Sequence, residues 1–129
     1  MGGMMPRAAQ VVTLAAALNG AQEVPPNDKA GTGQAEVTFN KDTGELKYRI
    51  TYAGLSGPAT GAHIHGPAAA TANAPVVVPF ANVGTSPISG EARLNPTQAG
   101  DLLAGLYYVN VHTAAHPGGE IRGQLRLKP

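Results

Sequence analysis

The chain has 129 residues, the size of a single domain, and its nine basic residues nearly balance its eight acidic ones. That balance, with only 5% aromatic residues, excludes the basic, aromatic-rich surface typical of nucleic-acid binding. Cysteine is absent, which excludes disulfides, thiolate nucleophiles and cysteine-ligated metals. Seventeen glycines and eleven prolines disfavour a helical bundle and favour short strands joined by turns.

The N-terminal segment allows two interpretations. Residues 1–10, which begin Met-Gly-Gly-Met-Met, are predicted to be a leader or the remnant of a signal, ahead of one domain over residues 11–129. Residues 11–18 would serve as a short signal core, but a single preceding charge makes a weak signal. We therefore predict that residues 11–18 form the first strand. No run approaches the ~20 apolar residues of a membrane span.

The next elements follow from alternation of apolar and polar residues. Residues 34–39 and 45–52 both alternate and flank a turn that ends at Gly44, which predicts an antiparallel hairpin. Pro79 places a later strand at a sheet edge or a bulge. That apolar strand suits the core and a dimer interface equally well, so a homodimer stays open. The further strands are predicted at residues 59–65, 75–80, 89–94, 106–113 and 120–127, with a surface loop at residues 66–74.

One helix is predicted near residues 96–104. Asn95 is a favoured N-cap, Pro96 suits the first helical position, and Gly105 ends the helix. Seven or eight short antiparallel strands with one small helix predict an all-β domain. A β-sandwich is the leading architecture, and a small closed barrel is the alternative.

The four histidines of the chain fall into two close pairs, His63 with His65 and His112 with His116. Residues i and i+2 of a strand share a face, so His63 and His65 can converge on one ion. His112 lies late in a predicted strand, and the bend after His116 can return that ring to the same face. We predict a metal site built from all four histidines; the alternative is a set of solvated or hydrogen-bonded surface histidines.

The ligand type indicates which metal the site would take. Four imidazoles suit copper or zinc and disfavour calcium and magnesium, which prefer oxygen ligands. Copper is the first choice because Cu(II) heads the stability order and tolerates tetragonal nitrogen ligation, and zinc is the alternative. Acid is expected to release the ion as the imidazoles protonate near their ordinary pKa of about 6.5.

Two charged residues lie on the outer face of the last predicted strand, opposite Ile121. Solvated sheet polarity is the ordinary interpretation of Glu120 and Arg122. The functional hypothesis is that Arg122 draws a small anion toward the metal. Residues 23–26 are more typical of a rigid turn than of a site.

Three segments together resemble the CHRD family, the domain named after chordin. They are residues 18–26 (LNGAQEVPP), residues 62–67 (AHIHGP) and residues 109–125 (VNVHTAAHPGGEIRGQL). The resemblance covers nearly the whole chain. It implies an immunoglobulin-like, Greek-key β-sandwich and an extracytoplasmic location, periplasmic or secreted. It assigns no reaction.

A fainter resemblance is to copper/zinc superoxide dismutases, and it implies that His63, His65 and His112 are copper ligands. It also implies that Arg122 guides the anion. The chain lacks the disulfide, the zinc-binding loop and a bridging histidine of those enzymes, so His116 would have to complete the copper site. Three hypotheses result: a copper-binding exported protein with a redox-active mononuclear site, a copper-only enzyme that consumes superoxide, and a metal-free extracellular interaction module.

Overall fold

A computed structural model describes residues 10–129, which form an antiparallel, all-β domain with one α-helix. The predicted leader lies outside the described residues except for Gln10. No helix within residues 10–129 is long and apolar enough to cross a bilayer. The strands are β1 (Val11–Asn19), β2 (Thr32–Asn40), β3 (Glu45–Ala53), β4 (Ala59–His65), β5 (Val76–Pro79), β6 (Ile88–Arg93), β7 (Tyr108–Thr113), β8 (Ile121–Gln124) and β9 (Arg126–Leu127); the helix α1 is Pro96–Leu103, and a 3₁₀ turn spans Gly20–Gln22.

The strands form one continuous sheet in the order β5-β4-β7-β8-β1-β2-β3-β6, with β9 paired to β1. Its two halves join where Asn19 of β1 pairs with Arg122 of β8. The far ends of the sheet approach each other, because the Phe80 ring after β5 stacks on Tyr48 of β3 with centroids 4.1 Å apart. The predicted all-β sandwich is confirmed, and its sheet is nearly barrel-shaped.

The core lies between the two halves of this sheet and consists of alternate residues of each strand. Ile64 is part of it, and because successive strand residues point to opposite faces, its burial turns His63 and His65 to the outer face. Val109 and Val111 are buried opposite Ile64 and Ala62 in the neighbouring strand. The core members that are at most 1% exposed include Leu14, Leu18, Val37, Leu46, Ile50, Ile64, Val109, Val111 and Ile121.

Most predicted elements are confirmed. β1 pairs with β2 along its whole length, so residues 11–18 are a strand in this fold. Gly44 takes a φ of +79° in the β2–β3 turn, and β5 lies at the end of the sheet as Pro79 predicts. Helix α1 begins with the predicted Asn95 cap, whose side chain accepts from the backbone N–H of Gln98 at 2.9 Å.

The last predicted strand, residues 120–127, is two strands instead of one, which brings the number of strands to nine. The break falls at Leu125, which is fully buried and whose N–H donates to the carbonyl of Tyr107 at 3.0 Å. The pairing of β8 with β1 is confined to Arg122, and β9 resumes the pairing with β1 at Arg126.

The outer face beside β8 is covered rather than solvated, so the interpretation of Glu120 and Arg122 as solvated sheet polarity is wrong. Arg122 is 1% exposed and Glu120 is fully buried. Two segments lie over this face. The side chain of Asn27 donates to the Glu120 carbonyl at 3.0 Å, and Arg122 donates to the Ala72 carbonyl at 2.7 Å.

Glu120 ties the loop after β3 to the turn between β7 and β8. Its carboxylate accepts from the Ser56 N–H at 2.8 Å, from the Ser56 hydroxyl, and from the Thr113 hydroxyl at 2.7 Å. Burial alone would raise the pKa of Glu120, but these hydrogen bonds outweigh it and hold the pKa below its ordinary value. The ionised carboxylate therefore fixes Thr113, the residue after His112.

Replacing Glu120 by Gln is expected to lower the free energy of unfolding by about 2 kcal/mol at pH 7. The amide N–H group of glutamine would face the hydrogen-bond donors of Ser56 and Thr113, and neither side could accept. The folded pKa of Glu120 is below its unfolded value, so this contribution is complete above the unfolded pKa and is lost as the pH falls through the folded pKa. Urea titrations of metal-free wild type and Glu120→Gln from pH 7 to pH 3 measure it.

The control is Glu91→Gln at an exposed strand position, which is expected to stay within about 0.5 kcal/mol of wild type. The difference between wild type and Glu120→Gln should shrink toward pH 3. A difference that stays constant over this range would contradict an ionised Glu120 in the fold.

Candidate metal centre

The pairing of β4 with β7 brings three of the four histidines together. His63 and His65 lie on β4, and His112 lies on β7 beside Gly61. The ring centroids are 4.8 Å apart for His63 and His112, 5.3 Å for His63 and His65, and 6.0 Å for His65 and His112. Each residue offers one ligand nitrogen, and the three nitrogens lie within 4.8 Å of one another. Two neighbouring strands thus direct three imidazoles at one point.

Backbone carbonyls fix which nitrogen of two rings is free. Nδ1 of His65 lies 2.9 Å from the Ala74 oxygen, and Nδ1 of His112 lies 3.0 Å from the Pro117 oxygen. A carbonyl only accepts, so both Nδ1 atoms carry hydrogen and both Nε2 atoms carry a lone pair. Nδ1 of His63 lies 3.0 Å from Nε2 of His112, and it therefore donates to that lone pair.

The free nitrogen of His65 has no hydrogen-bond partner. Its Nε2 is buried, and no atom of residues 10–129 bonds to it. An unpaired buried acceptor costs roughly 1–3 kcal/mol. A cation held among the three rings would satisfy this lone pair, so the residues present fit a nitrogen-ligated metal ion.

The cluster is also suited to a cation because its rings resist protonation. Burial, followed by the neighbouring His112 and His65, lowers the pKa of His63 to about 4. Burial likewise lowers the pKa of His112, against the opposing effect of its bond to the Pro117 carbonyl. Metal ligation requires neutral imidazoles. For these two rings, the sequence-based expectation of protonation near 6.5 is too high.

The model of one protein family matches residues 14–125, and its description is CHRD domain. The chain belongs to the CHRD family. No curated protein and no solved structure matches it. The fainter resemblance to copper/zinc superoxide dismutases therefore has no support from these comparisons.

His116 of this CHRD domain lies apart from the cluster. Its backbone N–H and carbonyl both bond to Thr113, at 3.1 and 3.3 Å, which closes the turn after β7. Its side chain lines a groove of about 360 Å³ between residues 23–27 and residues 115–119. The bend after His116 thus does not bring this ring to His63, His65 and His112, and its role as a fourth ligand stays a prediction.

Arg122 lies on the outer face of the CHRD domain, one strand beyond His112, but beneath a loop. Its guanidinium donates to the Ala72 carbonyl at 2.7 Å and to the side-chain oxygen of Asn73 at 2.9 Å. Its carbon Cζ lies 3.5 Å from the centre of the Tyr108 ring. Anion guidance by Arg122 stays a prediction, since its donors point at the loop.

Two further buried residues were not predicted as site residues: Tyr108, which lies beside His65, and Glu23, which lies near Arg122. Tyr108 shares the face of His112, and its ring stacks on His65 with centroids 4.9 Å apart and planes 1° apart. Glu23 is only 5% exposed, and burial raises its pKa to about 7 despite the charge of Arg122. Residue spacing does not reveal that Tyr108 pairs with His65 across two strands. It also does not reveal that the segment after β1 buries Glu23.

Proposed function

We propose that this CHRD domain binds one metal ion through His63, His65 and His112, with copper as the first choice and zinc as the alternative. The observation that carries the proposal is the buried, unpartnered Nε2 of His65 within a cluster of three imidazoles. A protein interior rarely leaves such an acceptor unpaired without a functional reason.

The donor set supports a nitrogen-preferring metal. The cluster found among residues 10–129 contains three histidines and no carboxylate. Imidazole suits copper and zinc, whereas calcium and magnesium prefer oxygen. Bound copper would supply a Cu(II)/Cu(I) couple, and bound zinc would supply no redox chemistry.

The hydrogen bonds of the three rings indicate the ligating atoms. Partners on the far side of a histidine fix its tautomer and orientation at metal sites. Ala74 and Pro117 hold the other nitrogens of His65 and His112, so these two rings would ligate through Nε2. His63 would ligate through Nδ1 once its proton moves to Nε2, which lies on the ring edge beside Gly61.

The proposal includes a location outside the cytoplasm, as a periplasmic or secreted protein, and its support is membership of the CHRD family. Homodimerisation stays a prediction. The edge strand β5 would be its place, because Val76 is 47% exposed there.

Calorimetry on metal-stripped protein is expected to give a Cu(II) dissociation constant below about 1 μM, roughly −8 kcal/mol. His65→Ala should weaken copper binding at least about 100-fold. Loss of a group that only orients a ligand typically costs about 10- to 100-fold, so loss of the ligand itself should cost more. Absence of uptake by wild type would end the proposal and leave the metal-free interaction module.

His116→Ala separates a three-histidine from a four-histidine site in the same experiment. Three ligands predict unchanged affinity, and a loss comparable to that of His65→Ala would add His116 to the site. Nitrogen-15 NMR of zinc-loaded protein should show His63 bound through Nδ1 and the other two rings through Nε2. Ligation of His63 through Nε2 would contradict the proposed arrangement.

Lowering the pH is expected to weaken Zn(II) binding less than it would weaken binding by three imidazoles of ordinary pKa. Protons compete for a ligand only below its pKa, and the pKa of His63 is lowered to about 4 and that of His112 is also lowered. Between pH 7 and pH 5, one imidazole of pKa about 6.5 reduces affinity about 25-fold, and three reduce it about 10⁴-fold. We expect a fall below about 100-fold in competition titrations with a chelator. A fall near 10⁴-fold would contradict the shifted pKa values.

The second candidate function is consumption of superoxide by the copper-loaded domain. The observation that favours it is access, because His63 and His112 are only half-buried. Gly61, on the same face of β4, adds no side chain beside their ring edges. A small anion would therefore reach the cluster from solvent.

Superoxide decay with copper-loaded wild type is expected to exceed decay with an equal concentration of copper-treated His65→Ala. Unbound copper is removed from both samples and decay is compared per bound ion, because the weaker-binding His65→Ala would otherwise leave more copper free. Equal decay rates would rule out the enzyme and leave metal binding alone.

A further inference from the structure

The loop between β4 and β5, residues 66–75, supplies one hydrogen bond to the metal centre. The Ala74 carbonyl accepts from Nδ1 of His65 at 2.9 Å. Residues 66–75 contain no helix or strand, and residues 69–73 are exposed. An exposed loop without regular structure positions a carbonyl only if other groups hold it.

Arg122 holds this loop from below. Its guanidinium donates to the Ala72 carbonyl at 2.7 Å and to the side chain of Asn73 at 2.9 Å, and it approaches two further loop carbonyls at 3.4 Å each. The arginine is 1% exposed although its partners belong to exposed residues. The rigid planar fork of a guanidinium presents five donors in fixed directions, whereas lysine has three donors on one flexible stem.

Tyr108 connects Arg122 to His65. Its hydroxyl accepts from the Ala74 N–H at 3.0 Å and donates to the Ala74 carbonyl at 3.3 Å. The Cζ atom of Arg122 lies 3.5 Å from the centre of the Tyr108 ring. The same ring is parallel to the His65 ring, with the two centroids 4.9 Å apart. Strand β7 runs between β4 and β8, so Tyr108 lies between the other two side chains. We name these three residues the Arg122–Tyr108–His65 stack.

We propose that Arg122 and Tyr108 are positioning residues: they fix residues 72–74, and through the Ala74 carbonyl they hold the His65 ring with its Nε2 free for a metal. The inference extends the proposed function and rests on it, because positioning His65 serves metal binding. Its structural part concerns the metal-free protein and is measured there.

The sign of the effect on metal affinity separates positioning from charge. A buried arginine beside a cation site repels the cation, so a role through charge alone predicts tighter binding when Arg122 is replaced by a neutral residue. Positioning predicts weaker binding after the same change. Anion guidance predicts no change in metal affinity.

The first experiment follows the Nδ1–H proton of His65 by NMR in metal-free protein. Arg122→Met and the milder Tyr108→Phe are expected to speed its exchange with water at least about 10-fold, since the bond to Ala74 opens more often. The Nδ1–H of His112, bonded to Pro117, reports in the same spectra that the fold is intact. Arg49→Met, at an exposed position of β3, is the matched control and should change neither proton.

The second experiment measures Zn(II) affinity by competition. Arg122→Met and Arg122→Lys are each expected to weaken binding about 10-fold, the lower end of the range for groups that orient a ligand. In a His65→Ala background, Arg122→Met should have no further effect. Unchanged or tighter binding by Arg122→Met, or an equal loss in both backgrounds, would overturn the inference.

The two experiments fail separately. If wild type takes up no metal, the proposed function is lost, and the exchange rate of the His65 proton still decides the positioning role. If that rate is the same in wild type, Arg122→Met and Tyr108→Phe, the inference is wrong even where metal binds.

Discussion

The register between β4 and β7 is the constraint on which the candidate site depends. Ile64 pairs with Val109 and Ala62 with Val111, and all four are buried. A slip of one residue would turn this apolar set to the outer face. The same slip would turn the β4 histidines into the core. Core packing thus fixes the histidine cluster, because the alternation that buries Ile64 also places its two neighbours outside.

The outer face of this half of the sheet departs from an ordinary sandwich, whose outer face is solvated. Here buried polar side chains tie irregular segments onto the strands. Glu120 holds the loop after β3 through Ser56, and Arg122 holds the loop after β4 through Ala72 and Asn73. The chain has no cysteine for disulfides, so these hydrogen-bonded charged side chains hold the loops against the strands. Removal of one partner leaves a buried charge unpaired, which is why these residues matter to the fold.

The sequence predicts the features that depend on neighbouring residues better than those that depend on residues far apart in the chain. Local signals sufficed for the strands, for the Asn95 cap and for the shared face of His63 and His65. Whether His112 lies beside them depends on which strands pair, which the strand pattern does not give. That pattern favoured a sandwich, and the resemblance to the CHRD family, now shown over residues 14–125, implied the same fold. Whether His116 joins the cluster could not be read from the sequence, because a turn's path depends on its hydrogen bonds, here those between the backbones of His116 and Thr113. The burial of Arg122 was missed because the loop that covers it comes from residues about fifty positions earlier.

The hydrogen bonds of the three histidine rings indicate how an ion would enter. Two rings are held by carbonyls on their far sides, and the third, His63, is held by His112 itself. For His63 to hold an ion through Nδ1, the proton that it shares with His112 would move to Nε2 of the same ring. The lone pair of His65 would then gain the partner that it lacks. A site so arranged would lose little conformational entropy on binding, which supports the proposal that three histidines on two paired strands suffice.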